Sequence, residues 1–149
     1  MYAFEETATI NGDLLTIWQT VSDVATWATW DPHILNSGFD EPFEVGSRGW
    51  TLSRVVAKRR GYFTLVEVEP EKSYTTRSPM PLGRMMIINR YVQQVPGKVD
   101  VSRRVEVYGA FTPLFRWKWA DAFQSDTRAT FKALEKEAHH RMAQAGSGR

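Results

Sequence analysis

Hydrophobic and polar positions alternate with two different periods along this chain, and the switches between them mark its elements. Tyr2, Phe4, Ala8 and Ile10 share one parity while Thr7 and Thr9 take the other, the pattern of a half-buried strand. Asn11-Gly12 is a turn signal and Asp13 a natural N-cap. Leu14, Ile17, Trp18, Val21 and Val24 then recur at helical spacing, which predicts a helix over residues 13–25. A short helical turn is predicted over residues 26–30, ended by Pro32, which disfavours helical backbone in the residue before it. From Ile34 to Phe111 period two returns. Strands are predicted over residues 46–56, 59–69, 73–77, 84–95 and 98–111, with Pro96-Gly97 as a tight hairpin signal. Connections this short cannot carry parallel crossovers, so the strands are antiparallel. After Thr112-Pro113, one side of the chain carries Phe115, Trp119, Phe123, Thr127, Thr130, Leu134, Ala138 and Met142. Lys132, Glu135, Lys136 and Arg141 lie elsewhere, which predicts one amphipathic helix reaching about residue 143, roughly 40 Å long.

Helices segregated from an antiparallel sheet make an α+β fold. A twisted sheet of six or seven strands curls, and a long helix crossing its concave side leaves space between them. The 149 residues suit one domain, assigned to residues 1–143, with a small-residue, flexible tail over residues 144–149. The formal net charge is +2. Its densest basic cluster, Lys58-Arg59-Arg60, is answered by Glu67, Glu69 and Glu71, so no nucleic-acid partner is expected. No charge-free run approaches the ~18 apolar residues of a membrane span. The first residues lack the pattern of a signal peptide. Absence of cysteine excludes disulfides and thiolate sites and suits a cytoplasmic protein. The adjacent His139-His140 cannot form the i, i+4 metal pair, no nucleotide-binding glycine motif occurs, and no cofactor is expected. What stands out is 13% aromatic content: six Trp, eight Phe and five Tyr, more rings than a chain this short needs to fold. Aromatic side chains are an economical lining for a cavity.

The stretch Leu15-Thr16-Ile17-Trp18-Gln19-Thr20-Val21-Ser22-Asp23-Val24-Ala25-Thr26-Trp27-Ala28-Thr29-Trp30-Asp31-Pro32-His33-Ile34 resembles the opening of the polyketide cyclase/dehydrase-like proteins. These belong to the START/Bet v 1-like (SRPBCC) helix-grip superfamily. Val45-Gly46-Ser47, Val66-Glu67-Val68-Glu69-Pro70 and the closing helix agree with it. The resemblance implies a seven-stranded antiparallel sheet wrapped around the C-terminal helix, two short helices after strand one, and a cavity for a hydrophobic ligand. Its members include aromatase/cyclases, lipid and sterol carriers, and hormone receptors, so fold transfers and function does not.

Three functions stay open on the sequence: binding of a hydrophobic, aromatic or polycyclic molecule, a cyclase/dehydrase using the same cavity, and a ligand-regulated interaction protein. A homodimer also stays open. Trp27 and Trp30 share a helical face and either pack onto the sheet or wall the cavity mouth. Trp50, on the strand after Gly46, is offered for the same wall. His33 follows Asp31-Pro32 and could serve as a base, without a partner nearby in sequence. On the last strand Arg103 shares parity with Val99, Val101, Val105 and Val107; if the valines face inward, the guanidinium does too and needs a carboxylate, water or a ligand. Arg90 shares parity with Met86, Ile88 and Val92, which would give a second inward cation. The opposite phase, with Met85, Ile87, Tyr91 and Val95 inward, is open for that strand. The resemblance favours Val66 and Val68 inward, which would carry Tyr62 and Thr64 into the cavity and let Tyr62 donate to a ligand carbonyl. Met80 and Leu82, on a proline-stiffened loop over residues 78–83, suit a lid, and equally an ordinary buried loop or a dimer contact. Val105, Val107, Trp119 and Phe123 complete the expected lining.

Overall fold

The computed structural model describes residues 1–54 and 59–147. Its elements run β1 (Tyr2–Asn11), α1 (Leu14–Ser22), a 3-10 turn (Val24–Thr26), α2 (Trp27–Trp30), β2 (Ile34–Gly38), β3 (Arg48–Ser53), β4 (Gly61–Glu69), β5 (Ser73–Met80), β6 (Gly83–Val95), β7 (Lys98–Gly109), α3 (Thr112–Lys118) and α4 (Ala120–Ser147). The seven strands form one antiparallel sheet in the order β1-β7-β6-β5-β4-β3-β2, curled around α4. This is the helix-grip arrangement expected from the sequence. The predicted strand over residues 46–56 ends at Ser53; Val55, Val56 and Lys58 of the basic cluster lie outside the described residues, as do the last two residues of the tail.

Local chemistry accounts for most boundaries. The Asp13 carboxylate accepts from the Thr16 backbone N–H at 3.0 Å, capping α1, a contact worth about 1 kcal/mol. The expected helix over residues 13–25 breaks after Ser22, because the Ser22 hydroxyl bonds back to the Trp18 carbonyl at 2.7 Å and the chain tightens into the 3-10 turn. The closing helix is likewise two pieces. Trp119, at φ −122°, leaves helical geometry between α3 and α4. Sequence periodicity passes through that break unaltered, so nothing in the pattern announced it. β2 was not singled out at all. The loop expected over residues 78–83 is instead a hairpin: β5 runs to Met80, β6 begins at Gly83, and only Pro81 and Leu82 turn the chain.

Two packed clusters hold α4 in the sheet. One gathers Ile17, Trp18, Leu65, Tyr91, Val101 and Leu134, among others; the other gathers Phe4, Met85, Val105, Val107, Phe115 and Ala120. Each of β6, β7 and α4 contributes to both, and between the two sets the first third of α4 leaves a space against the sheet. The residues in that interval are Ile87 and Asn89 on β6, Arg103 on β7, and Phe123, Asp126 and Thr127 on α4. The gap in apolar packing positions the site.

Candidate functional site

A cavity of about 550 Å³ fills this interval and opens between α2, the start of β4 and the β5–β6 hairpin. Its sheet wall comes from alternate residues: Tyr74 and Thr76 on β5, Met85, Ile87, Asn89 and Tyr91 on β6, Arg103 and Val105 on β7. Period two makes this inevitable once one residue of each strand faces inward. Trp119, Phe123, Asp126, Thr127 and Thr130 form the helix wall. Trp27, Trp30, His33, Tyr62 and Met80 lie toward the mouth. Trp27 is fixed by its indole N–H, which donates to the Val21 carbonyl at 3.1 Å. Its ring stacks on Phe63, with centroids 5.8 Å apart, and Phe63 stacks in turn on Phe39. Gly49 permits this: a Cβ there would come within 2.5 Å of the Phe63 ring.

Two polar groups interrupt the apolar walls. At the sheet, the Arg103 Nε donates to Asn89 Oδ1 at 2.8 Å. The Tyr74 hydroxyl interacts with both Tyr91 and Arg103. Burial raises the Tyr74 hydroxyl pKa, with the nearby guanidinium opposing the shift. Tyr91 is raised well above the usual phenol value by burial, and Tyr74 adds to the shift. Both phenols therefore stay protonated and keep a donor. Opposite, His33 Nδ1 lies 3.1 Å from Asp126 Oδ1 on α4. Asp31 braces the loop: one oxygen accepts from the His33 backbone N–H at 3.0 Å, the other from the Thr130 hydroxyl at 3.1 Å. Burial raises the Asp126 carboxyl pKa; His33 opposes this and Asp31 reinforces it. Three buried side-chain nitrogens have no hydrogen-bond partner: Trp30 Nε1, His33 Nε2 and Asn89 Nδ2. All three residues line the cavity.

Of the residues singled out from the sequence, Trp27, Trp30, His33, Tyr62, Met80, Arg103, Val105, Trp119 and Phe123 border this space. Tyr62 does so only from the rim, 57% exposed. The expectation that Val66 and Val68 carry it inward fails on a bulge. β4 slips register against β5 between Leu65 and Glu67, so Phe63 and Leu65 face in before the bulge and Val68 after it. Trp50, paired with Tyr62, is on the convex face, where it covers Gly38 and carries Arg60 on its ring at 3.9 Å. Arg90 is exposed on the convex face as well, because β6 takes the phase that turns Met85, Ile87 and Tyr91 inward. It borders a shallow groove there with Glu5 and Glu106. The second inward arginine is thus corrected to a single one. Val107 is buried in the second cluster and does not border the cavity. Leu82 is 82% exposed at the hairpin tip and is no part of the lining.

Sequence reasoning missed Asn89, Tyr74, Asp31 and Asp126. Asn89 carried a usable signal: it is the one amide among Met85, Ile87 and Tyr91, and an inward polar residue is as telling as inward Arg103. Asp126 stands beside Thr127 at the edge of the helix stripe; its partner His33 is far away in sequence, and no local pattern joins them. Among the described residues no group of three or more His, Asp or Glu side chains is placed to hold a metal ion.

No curated protein sequence matches the chain. Solved structures do resemble it. The Zhui aromatase/cyclase from Streptomyces sp. R1128 superposes with a TM-score of 0.75 at 16% identity, covering 97% of this chain and 98% of that one. A START superfamily protein from Mycobacterium smegmatis gives 0.73 at 13% identity, covering 94% and 99%. The di-domain aromatase/cyclase StfQ of the steffimycin biosynthetic pathway gives 0.74 at 10% identity, covering 95% of this chain and 51% of that one. At such identities the likeness establishes the fold alone. Sequence carries the rest: residues 1–139 match the family described as polyketide cyclase / dehydrase and lipid transport, and the chain belongs to that family.

Proposed function

We propose that this protein binds a hydrophobic, oxygen-bearing small molecule, aromatic or polycyclic in character, in the cavity between sheet and helix. The observation that carries this reading is the set of three buried nitrogens without partners on residues of a cavity whose walls are mostly apolar. Leaving a buried polar atom unsatisfied costs about 1–3 kcal/mol. A ligand presenting carbonyl, ether or hydroxyl oxygens would recover that cost, while its apolar body would cover Trp27, Ile87, Val105 and Phe123. A volume of about 550 Å³ lies within the usual range for small-molecule sites. The family's description, which spans cyclases and lipid transport, is consistent with such a ligand. The test is native mass spectrometry of the purified protein for a co-purified molecule, followed by titration with the neutral fluorophore phenylnaphthylamine. Asn89→Leu and Trp30→Phe should change the preference for oxygenated over purely hydrocarbon competitors. Equal preference in both variants and the parent would overturn the reading.

One observation favours a second reading, a cyclase or dehydrase. Asp126 lies against His33 Nδ1, and Nε2 of this ring, which lines the cavity, has no hydrogen-bond partner. There it could take a proton from a carbon between two carbonyls, while Arg103 and the Asn89 amide hold the enolate oxygen. The enolate carbon would attack a second carbonyl of the same chain, and the new alkoxide would take the proton back before water leaves. His33→Gln separates the readings. Lost turnover of a poly-β-ketone at unchanged affinity supports the enzyme; loss of neither supports binding alone.

A further inference from the structure

We propose that the β5–β6 hairpin and α3 form a docking face for an anionic phospholipid surface, a property beyond the cavity reading and independent of it. The face is built from side chains that no packing requirement explains. Leu82 at the hairpin tip and Trp117 on α3 are each 82% exposed, and Leu114 is 43% exposed. Leu114 and Trp117 are three residues apart and share the outward face of α3, while Phe115 on its inward face is buried. The hairpin and the helix form one unit, because the Ala110 N–H donates to the Leu82 carbonyl at 3.1 Å just before α3 begins. Leu82 is held at φ 57°, in the left-handed region where a glycine would sit without strain, yet a bulky apolar side chain is presented to solvent there.

Charge selects the occupant. Arg116 and Lys118 flank Trp117, and Arg84 stands two residues after Leu82. Each lies over a ring, Arg84 over Tyr108 at 4.3 Å, Arg116 over Tyr2 at 5.6 Å and Lys118 over Trp119 at 5.0 Å. Among the described residues none of the three makes an ion pair. No acid occurs between Glu71 and Asp100 or between Glu106 and Asp121, so both segments of the face are wholly cationic. An exposed Trp and leucines set among unpaired cations have the composition of an interfacial membrane contact. A second copy of this chain would instead bring the same cations together. The same segments supply Met80, Pro81, Phe111 and Trp119 to the cavity wall, so docking places that end of the cavity against the lipid.

The test is flotation of the full chain with vesicles of phosphatidylcholine, with and without phosphatidylglycerol. Capture by the anionic vesicles alone is expected. Arg116→Gln with Lys118→Gln should weaken capture about thirtyfold, the equivalent of roughly 1 kcal/mol per cation. Trp117→Ser should weaken it about tenfold or more. Phenylnaphthylamine affinity should be unchanged in all variants, which separates failure of docking from failure of the cavity reading. Equal capture by both vesicles, or none, overturns the proposal. So does a dimer in sedimentation that Trp117→Ser dissolves, which would assign the face to a second copy.

Discussion

Replacing Arg103 with leucine should destabilise the fold through Asn89 more than through the lost guanidinium itself. The Asn89 side chain is 2% exposed, its oxygen accepts from Arg103 Nε at 2.8 Å, and its nitrogen already lacks a partner. Arg103→Leu would orphan the whole amide and remove a partner of the Tyr74 hydroxyl, a cost of about 1–3 kcal/mol. Asn89→Leu alone would leave the guanidinium without its carbonyl acceptor, and bonds to charged groups are worth about 1.5–3 kcal/mol. In the double variant neither group remains to be orphaned, so its loss should fall short of the sum by about 1–3 kcal/mol. Urea unfolding of the four proteins gives the cycle; thermal melting gives it independently, at roughly 3–4 °C per kcal/mol for a chain of this size. Arg103→Leu should also weaken binding of anilinonaphthalene sulfonate, which is anionic, about tenfold more than that of neutral phenylnaphthylamine. Additivity of the two substitutions within about 0.5 kcal/mol would refute the reasoning. The cavity floor would then hold two independent polar residues rather than one joined unit.

Burial raises the Asp126 carboxyl pKa, so the folded state holds that proton more tightly than the unfolded chain does. Its contribution to stability is full below the ordinary carboxylate range and is lost as pH rises through the raised value; Asp126→Asn should flatten stability against pH in mildly acidic urea titrations, and an unchanged slope would count against the assignment. Gly49→Ala places a methyl 2.5 Å from Phe63 and 2.7 Å from Phe39, and should cost about 1–3 kcal/mol in thermal melting while shifting the near-ultraviolet signal of the Trp27 stack. Leu82→Gly relieves the positive φ and should raise stability by up to about 1 kcal/mol in urea unfolding; a loss would mean that Leu82 packs in the folded state.

Much of the architecture was legible in the sequence. Helical spacing from Leu14 to Val24, alternation on β7, and the Pro96-Gly97 hairpin each reflect a local rule acting within a few residues. Arg103 could be placed inward because four valines share its parity, and they are indeed buried. β6 resisted the same reasoning. It carries apolar residues on both parities, Met85, Ile87 and Tyr91 on one and Met86, Ile88 and Val92 on the other, so period alone does not choose. Pairing with β7 chose, by setting Tyr91 against Val101 and Ile87 against Val105. That choice turned Arg90 out and Asn89 in.

Sequence by itself therefore determined six of the seven strands, a curled antiparallel sheet around a long closing helix, and the shared parity of Arg103 with the buried valines of β7. Tertiary structure alone decided the phase of β6, the bulge at Val66 that left Tyr62 on the rim, and the meeting of His33 with Asp126. These depend on strand register and on a helix reaching back across the sheet, contacts between residues far apart in the chain. Local periodicity has no term for such contacts, whereas closure of the fold selects one arrangement among several that the pattern permits equally.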